Sequence, residues 1–104
     1  MLRPYQPRHL QELLPEVRSI SADTRQVVEN ASDAVVNDTS TDAAHSALDR
    51  CEQVVQEARR LDQTLIDQAP EDAYVLTRVL DSLIRIAKSG GNIAELRLRG
   101  SLHA

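Results

Sequence analysis

The sequence predicts an all-α domain, an antiparallel three-helix bundle. Apolar residues recur at three- and four-residue steps through most of the chain, which is the spacing of amphipathic helices. No stretch shows the strict alternation that is typical of a half-buried β-strand. A polar break near residue 40 and a proline at residue 70 divide the pattern into three segments, and 104 residues are enough for one domain.

The composition predicts an aliphatic core. The chain has 2 Tyr and no Phe or Trp, so Leu, Ile, Val and Ala must fill the interior. These short side chains suit helices that pack at close range. Because a domain of this size buries only a modest core, we expect a partner to cover part of its surface.

Charge and cysteine content exclude several function classes. The chain has 16 acidic and 12 basic residues, a net charge of −4, which argues against direct nucleic-acid binding because phosphates require a basic face. The single cysteine, Cys51, cannot form an internal disulfide and favours a reducing cytoplasm. No apolar run approaches the roughly 20 residues of a membrane span and no export signal is evident. We therefore expect a cytoplasmic protein that is peripheral to a membrane at most.

The first helix is expected to begin at Leu10 or Pro15 and to end near Asn37. Residues 1–9 are expected to form an irregular tail, which leaves residues 10–104 as the three-helix domain. Pro15 fits two positions: the first residue of the helix, where its missing N–H costs nothing, or a kink inside a longer helix. The stripe contains Leu10, Leu13, Leu14, Val17, Ile20, Thr24, Val27, Val28, Ala31, Ala34 and Val35.

A polar segment, residues 37–42, predicts the first break between helices. Its Asn, Asp, Ser and Thr side chains bond to the local backbone and favour turns and caps. Ser40 or Thr41 is the expected N-cap of a second helix that runs from about Ala43 to Gln68.

The third helix is expected to open at Pro70, with acidic residues in a first turn where they complement the helix dipole. Its apolar residues cover more of the helix surface than a single stripe does. We therefore expect this helix to lie centrally in the bundle or to be shared with another subunit. Gly90 and Gly91 each cost about 1 kcal/mol relative to alanine. They indicate either close approach by another helix, or a hinge beside a binding face, or a local break.

The segment from Leu83 to Glu95 reads Leu-Ile-Arg-Ile-Ala-Lys-Ser-Gly-Gly-Asn-Ile-Ala-Glu. It resembles the signature helix of the PhoU family, the helical regulators of phosphate uptake. The residues that match are Leu83, Arg85, Ile86, Ala87, Asn92, Ile93, Ala94 and Glu95.

The resemblance implies a single PhoU-like three-helix repeat, whereas full-length members usually carry two in tandem. It implies a regulatory domain that modulates phosphate transport or phosphate signalling through helix-face contacts. The implied partners are the ATPase of the phosphate transporter or a sensor kinase. Because a lone repeat leaves one apolar surface uncovered, we expect a homodimer.

One departure from the family concerns metal. Members commonly hold iron or zinc on acids of the second and third helices, and the corresponding positions here are Arg50, Cys51, Ile84 and Lys88. Divalent cations require oxygen, nitrogen or sulfur donors, and two of these positions carry a positive charge. We therefore expect no metal and no other cofactor.

Four residues of the motif are the candidate interaction residues: Arg85, Lys88, Asn92 and Glu95. The planar guanidinium of Arg85 can bind phosphate or a partner's carboxylate. An internal ion pair with Asp81, four residues earlier, is the favoured interpretation. Lys88 would supply charge where the family holds metal. Asn92 is expected to make a structural hydrogen bond, and Glu95 to lie on a solvated face or to bind a partner.

No catalytic residue is predicted, so the chain is not expected to be an enzyme. Cys51 lies in an apolar stripe without an identifiable base, and the three histidines lack the spacing of metal ligands. Two alternatives remain. One is a structural bundle without a phosphate role. The other is a small all-helical enzyme such as a chorismate mutase, which would need several Arg, a Lys and a Glu or Gln converging on a dianion.

Overall fold

The computed structural model describes residues 7–37, 41–68 and 70–103, with side chains for 11–37, 41–68, 70–71 and 73–100. Three helices account for these ranges: α1 (Pro7–Val36), α2 (Asp42–Gln68) and α3 (Pro70–His103). No strand occurs within them, which confirms the all-α prediction. Within the described ranges, no helix is long and apolar enough to cross a membrane.

The boundaries of α2 and α3 agree with the sequence pattern, whereas α1 begins earlier than expected. It starts at Pro7, so residues 7–9 are helical where an irregular tail was expected, and residues 1–6 lie outside the described part. Pro15 lies inside α1, so the interpretation in which it opens the helix is wrong. Pro15 is exposed. Water can therefore bond the carbonyl that its missing N–H leaves without a partner.

The connection between α1 and α2 follows the predicted break. Asn37 donates its N–H to the carbonyl of Asp33 at 2.8 Å, which closes the last turn of α1. Thr41 immediately precedes α2, and its carbonyl accepts the N–H of His45 at 3.0 Å. This is the backbone bond of an N-cap residue, so Thr41 occupies the predicted position. Ser40, the other candidate, lies outside the described residues.

The core lies where all three helices meet, and each helix packs against both of the others. Leu65, Leu80, Val27 and Val54 are its largest fully buried side chains. Thr24 is also buried, and its hydroxyl donates to the carbonyl of Ile20 at 2.8 Å, so no polar group is left unsatisfied there. Many of the remaining core residues are alanines, which let helix axes approach closely: Ala31, Ala34, Ala44, Ala47, Ala58, Ala73, Ala87 and Ala94.

Polar contacts join the helices at different levels along the bundle. Between α1 and α2, Arg50 Nη1 donates to Asp23 Oδ1 at 3.2 Å. Between α2 and α3, Thr77 Oγ1 donates to Asp62 Oδ1 at 2.5 Å.

A third polar contact joins the C-terminal parts of α1 and α3. Arg97 Nε donates to the carbonyl of Ala34 at 2.9 Å. Ala34 lies in the last turn of α1, where carbonyls lack partners within the helix. The guanidinium of α3 therefore helps to satisfy the end of α1.

Candidate interaction surface

The glycine pair allows α3 to approach both other helices. Gly90 and Gly91 are buried, and α3 continues through them. A Cβ atom at Gly90 would lie 2.8 Å from Val27 Cγ1, and one at Gly91 would lie 2.9 Å from Cys51 Sγ. Neither position has room for a methyl group, so Gly90 faces α1 and Gly91 faces α2. Close approach is therefore confirmed, and a local break is wrong.

An open apolar groove lies beside Gly90, between α1 and α3, with a volume of about 470 Å³. Its walls are Val28 and Val35 from α1 and Ile86 and Ile93 from α3. These four side chains are between 41% and 57% exposed. Small residues line the rest of the groove: Ala31, Ser32, Ser89 and Gly90, with Val36 at one end.

The apolar surface extends beyond the groove along α3. Val75, Val79 and Leu96 are 63%, 40% and 64% exposed. Single exposed apolar residues are normal, but a contiguous patch is typical of a binding site. We call this surface the α1–α3 face and define it as Val28 and Val35 with Val75, Val79, Ile86, Ile93 and Leu96.

The four motif residues predicted as interaction candidates are all exposed, but they do not gather into one site. Arg85 and Asn92 lie seven residues apart on one edge of α3, and Lys88 and Glu95 lie seven apart on another. Seven residues are about two helical turns, so each pair shares an edge. Arg85 and Asn92 are on the edge that borders the α1–α3 face.

Two expectations about these residues are wrong. In the described part of the chain Arg85 makes no ion pair, so the predicted pair with Asp81 does not form. Asn92 makes no side-chain hydrogen bond to a described residue, so the expected structural bond is not present. Both side chains carry unused hydrogen-bonding groups at the border of an apolar face. Glu95 instead accepts from Arg99 Nη2 at 2.6 Å on the surface.

The positions that correspond to the family's metal site are built differently here. Ile84 packs against the core, and Cys51 is half-buried beside Gly91. Among the described residues, no three His, Cys, Asp or Glu side chains form a group that could hold a metal ion. Arg50 is paired with Asp23 across helices, which gives this position a structural contact.

Burial raises the pKa of the Cys51 thiol, an effect that the Lys88 charge partly offsets and that Glu52 reinforces. The thiol is therefore protonated at neutral pH, as expected of a structural cysteine. Since the pKa of Cys51 is higher in the folded state, its thiol makes its full contribution to the free energy of unfolding at a pH below the unfolded-state pKa. This contribution is lost as the pH rises through the folded-state pKa.

Removing the Lys88 charge is expected to slow alkylation of Cys51. Lys88→Gln raises the thiol pKa further, so less of the reactive thiolate is present at a given pH. The rate of reaction with iodoacetamide, measured from about pH 7 to about pH 10, reports the shift. The control is Arg59→Gln, which also removes one positive charge, from an exposed position on α2. An unchanged pH–rate profile for Lys88→Gln would contradict the prediction.

No protein-family model, curated protein or solved structure matches the chain. The resemblance to the PhoU family therefore depends on the motif in α3 and on the three-helix plan.

Proposed function

We propose that this chain is a non-enzymatic regulatory domain resembling PhoU, which acts in phosphate transport or phosphate signalling by binding other proteins. The observation that carries the interaction role is the α1–α3 face. It exposes apolar side chains of α1 and α3 around one groove and is bordered by Arg85 and Asn92, neither of which has a partner within the described ranges. An apolar centre with a polar border is the usual composition of a protein-binding surface. The phosphate role is supported by the motif from Leu83 to Glu95.

The architecture that we propose is one antiparallel three-helix repeat. Contacts between α2 and α3 support it, because Cys51 lies beside Gly91 whereas Asp62 lies beside Thr77. Progress along α2 therefore corresponds to a return along α3, which is the pattern of antiparallel neighbours. The three helices follow one another through short connections, which favour this arrangement in bundles.

The proposed partners are the ATPase of the phosphate transporter or a sensor kinase in the cytoplasm, and the proposed state is a homodimer. The exposed edge that carries Arg85 and Asn92 borders the α1–α3 face and is suited to specificity. Charges on the border of an interface affect partner choice and association rate more than they affect total affinity.

Direct binding to the purified transporter ATPase tests the proposed function. The wild-type chain is expected to bind, and the charge reversal Arg85→Glu, on the edge that borders the α1–α3 face, is expected to weaken binding by about tenfold, or about 1.4 kcal/mol. Arg85 is exposed, so the fold should persist. Arg59→Glu on α2 is the matched control and should bind as wild type. Absence of binding to both the ATPase and the sensor kinase would contradict a phosphate role and favour a structural bundle.

A further inference from the structure

We propose that the partner segment bound by the α1–α3 face is an amphipathic helix whose aliphatic stripe is flanked on both sides by Asp or Glu. The inference rests on the proposed function, because it names the chemistry of the partner for the same surface. Two observations carry it: arginines border the face on both sides, and an open groove lies between the two borders.

The border of the face on α1 is basic. Arg18, Arg25 and Ser32 recur at seven-residue intervals, so they follow one line along the helix, which we call the α1 edge. Ser32 lines the groove, which places this line at the border of the α1–α3 face. Arg18 and Arg25 are exposed, and neither pairs with another residue in the described part of the chain. Both charges are therefore available to a partner.

The border of the face on α3 repeats this pattern. Arg78, Arg85 and Asn92 also recur at seven-residue intervals, and we call this line the α3 edge. Arg78 Nη1 donates to the hydroxyl of Tyr74 at 3.0 Å, and its guanidinium lies 5.7 Å from the centre of the tyrosine ring. Tyrosine is a neutral partner. The positive charge of Arg78 is therefore held in place without being neutralised.

The two edges are in register because α1 and α3 run parallel. A Cβ atom at Gly90 would contact Val27, and Arg97 donates to the carbonyl of Ala34. Both contacts join residues that are 63 positions apart in sequence, so a step along α1 matches an equal step along α3. Each edge therefore presents two arginines followed by one uncharged polar residue in the same direction along the bundle.

Acidic side chains close to the two edges do not reverse this charge. Glu29 lies further round α1 than Ser32, and Asp81 lies further round α3 than Arg85. Glu71 shares the α3 edge but lies in the first turn of the helix, before the arginines. A partner therefore meets positive charge on both sides of an apolar stripe. Carboxylates on both flanks of the partner would complement it.

The shape of the face favours a helix over a lipid surface. The groove is a depression of about 470 Å³ between two helices, with Val28, Val35, Ile86 and Ile93 as its walls. An amphipathic helix inserts side chains spaced three, four and seven residues apart into such a groove. A bilayer instead takes up apolar side chains that protrude. The net charge of −4 also opposes approach to an anionic membrane.

Two synthetic helical peptides of about 20 residues test the proposal with the intact chain. Both carry the same leucine stripe, but one has Glu on both flanks and the other has Lys, two residues of similar helix propensity. Fluorescence anisotropy of the labelled peptides gives the dissociation constants. The Glu-flanked peptide is expected to bind about tenfold more tightly. This preference should shrink between about 0.05 and about 0.5 M salt, because salt screens exposed charges.

Charge reversal on both edges locates the binding site. Arg25→Glu combined with Arg85→Glu should invert the preference, so that the Lys-flanked peptide binds more tightly. The matched control is Arg59→Glu combined with Arg60→Glu on α2, which makes the same change in net charge at exposed positions outside the face. The control should keep the wild-type preference. Because the reversed variant is expected to gain affinity for one peptide, misfolding cannot mimic the result.

Equal binding of the two peptides, binding of neither, or a wild-type preference in the reversed variant would each overturn the proposal. Co-sedimentation with phosphatidylserine vesicles without binding of either peptide would also overturn it and would indicate a lipid surface. If the Glu-flanked peptide binds but the ATPase and the kinase do not, this inference stands and the phosphate role fails. If the ATPase binds and the Glu-flanked peptide does not displace it, the proposed function stands and this inference fails.

Discussion

Gly90→Leu is expected to destabilise the fold by up to about 2 kcal/mol, although leucine is the better helix former. A side chain at this position meets Val27, whose Cγ1 atom would lie 2.8 Å from the new Cβ. Val27 is completely buried and β-branched, so its side chain has little freedom to rotate away. Overpacking a well-filled core typically costs about 1–3 kcal/mol. The upper part of this range exceeds the gain of about 1 kcal/mol from removing a glycine from a helix, so the net loss is up to about 2 kcal/mol.

Gly100→Leu is the matched control, because it places the same substitution in the same helix. No atom lies within 4 Å of the Cβ position at Gly100. This variant should therefore gain stability, by up to about 1 kcal/mol. Urea unfolding followed by circular dichroism measures both changes. If both variants were stabilised, the close approach of α3 to α1 at Gly90 would be contradicted.

Leu65→Ala is expected to lower the free energy of unfolding by about 2–5 kcal/mol, the range for a leucine removed from a packed core. Leu65 is 0% exposed and is among the largest fully buried side chains. Leu65 belongs to a cluster of buried aliphatic side chains, so its removal leaves a cavity in a packed core.

Ile66→Ala, one residue further along α2, separates burial from helix propensity. Ile66 is 52% exposed and loses little packing when it is shortened. Alanine also favours the helix slightly more than isoleucine does. The free energy of unfolding should therefore change by less than about 0.5 kcal/mol. Equal losses for the two variants would show that α2 is not packed through Leu65.

The sequence predicted the helices well because the signals for them are local. Pro70 opens α3 as expected, since its fixed φ angle suits a first helical residue. Thr41 precedes α2 as expected of a capping residue. The start of α1 was missed because the expected boundary followed the apolar stripe, which begins at Leu10, whereas the helix begins at Pro7. The alternative start at Pro15 was wrong because an exposed proline can lie within a helix where water replaces the lost bond.

The candidate site was harder to predict because it depends on packing between helices. The breadth of the apolar pattern on α3 indicated a surface shared with another subunit, but periodicity alone does not show which residues remain exposed. Gly90 and Gly91 could be interpreted as a break until Val27 and Cys51 were placed against them. The pair between Asp81 and Arg85 was inferred from spacing, and a favourable spacing on an exposed helix is worth too little to fix two long side chains.

The contact between Arg97 and the carbonyl of Ala34 has a consequence for local opening. The last turn of α1 is anchored by a side chain from α3, so loosening of either segment removes a bond from the other. Amide hydrogen exchange near the ends of the two helices should therefore respond together. Arg97→Met, which keeps much of the aliphatic stem but cannot donate, would accelerate exchange at the end of α1, 63 positions away in sequence.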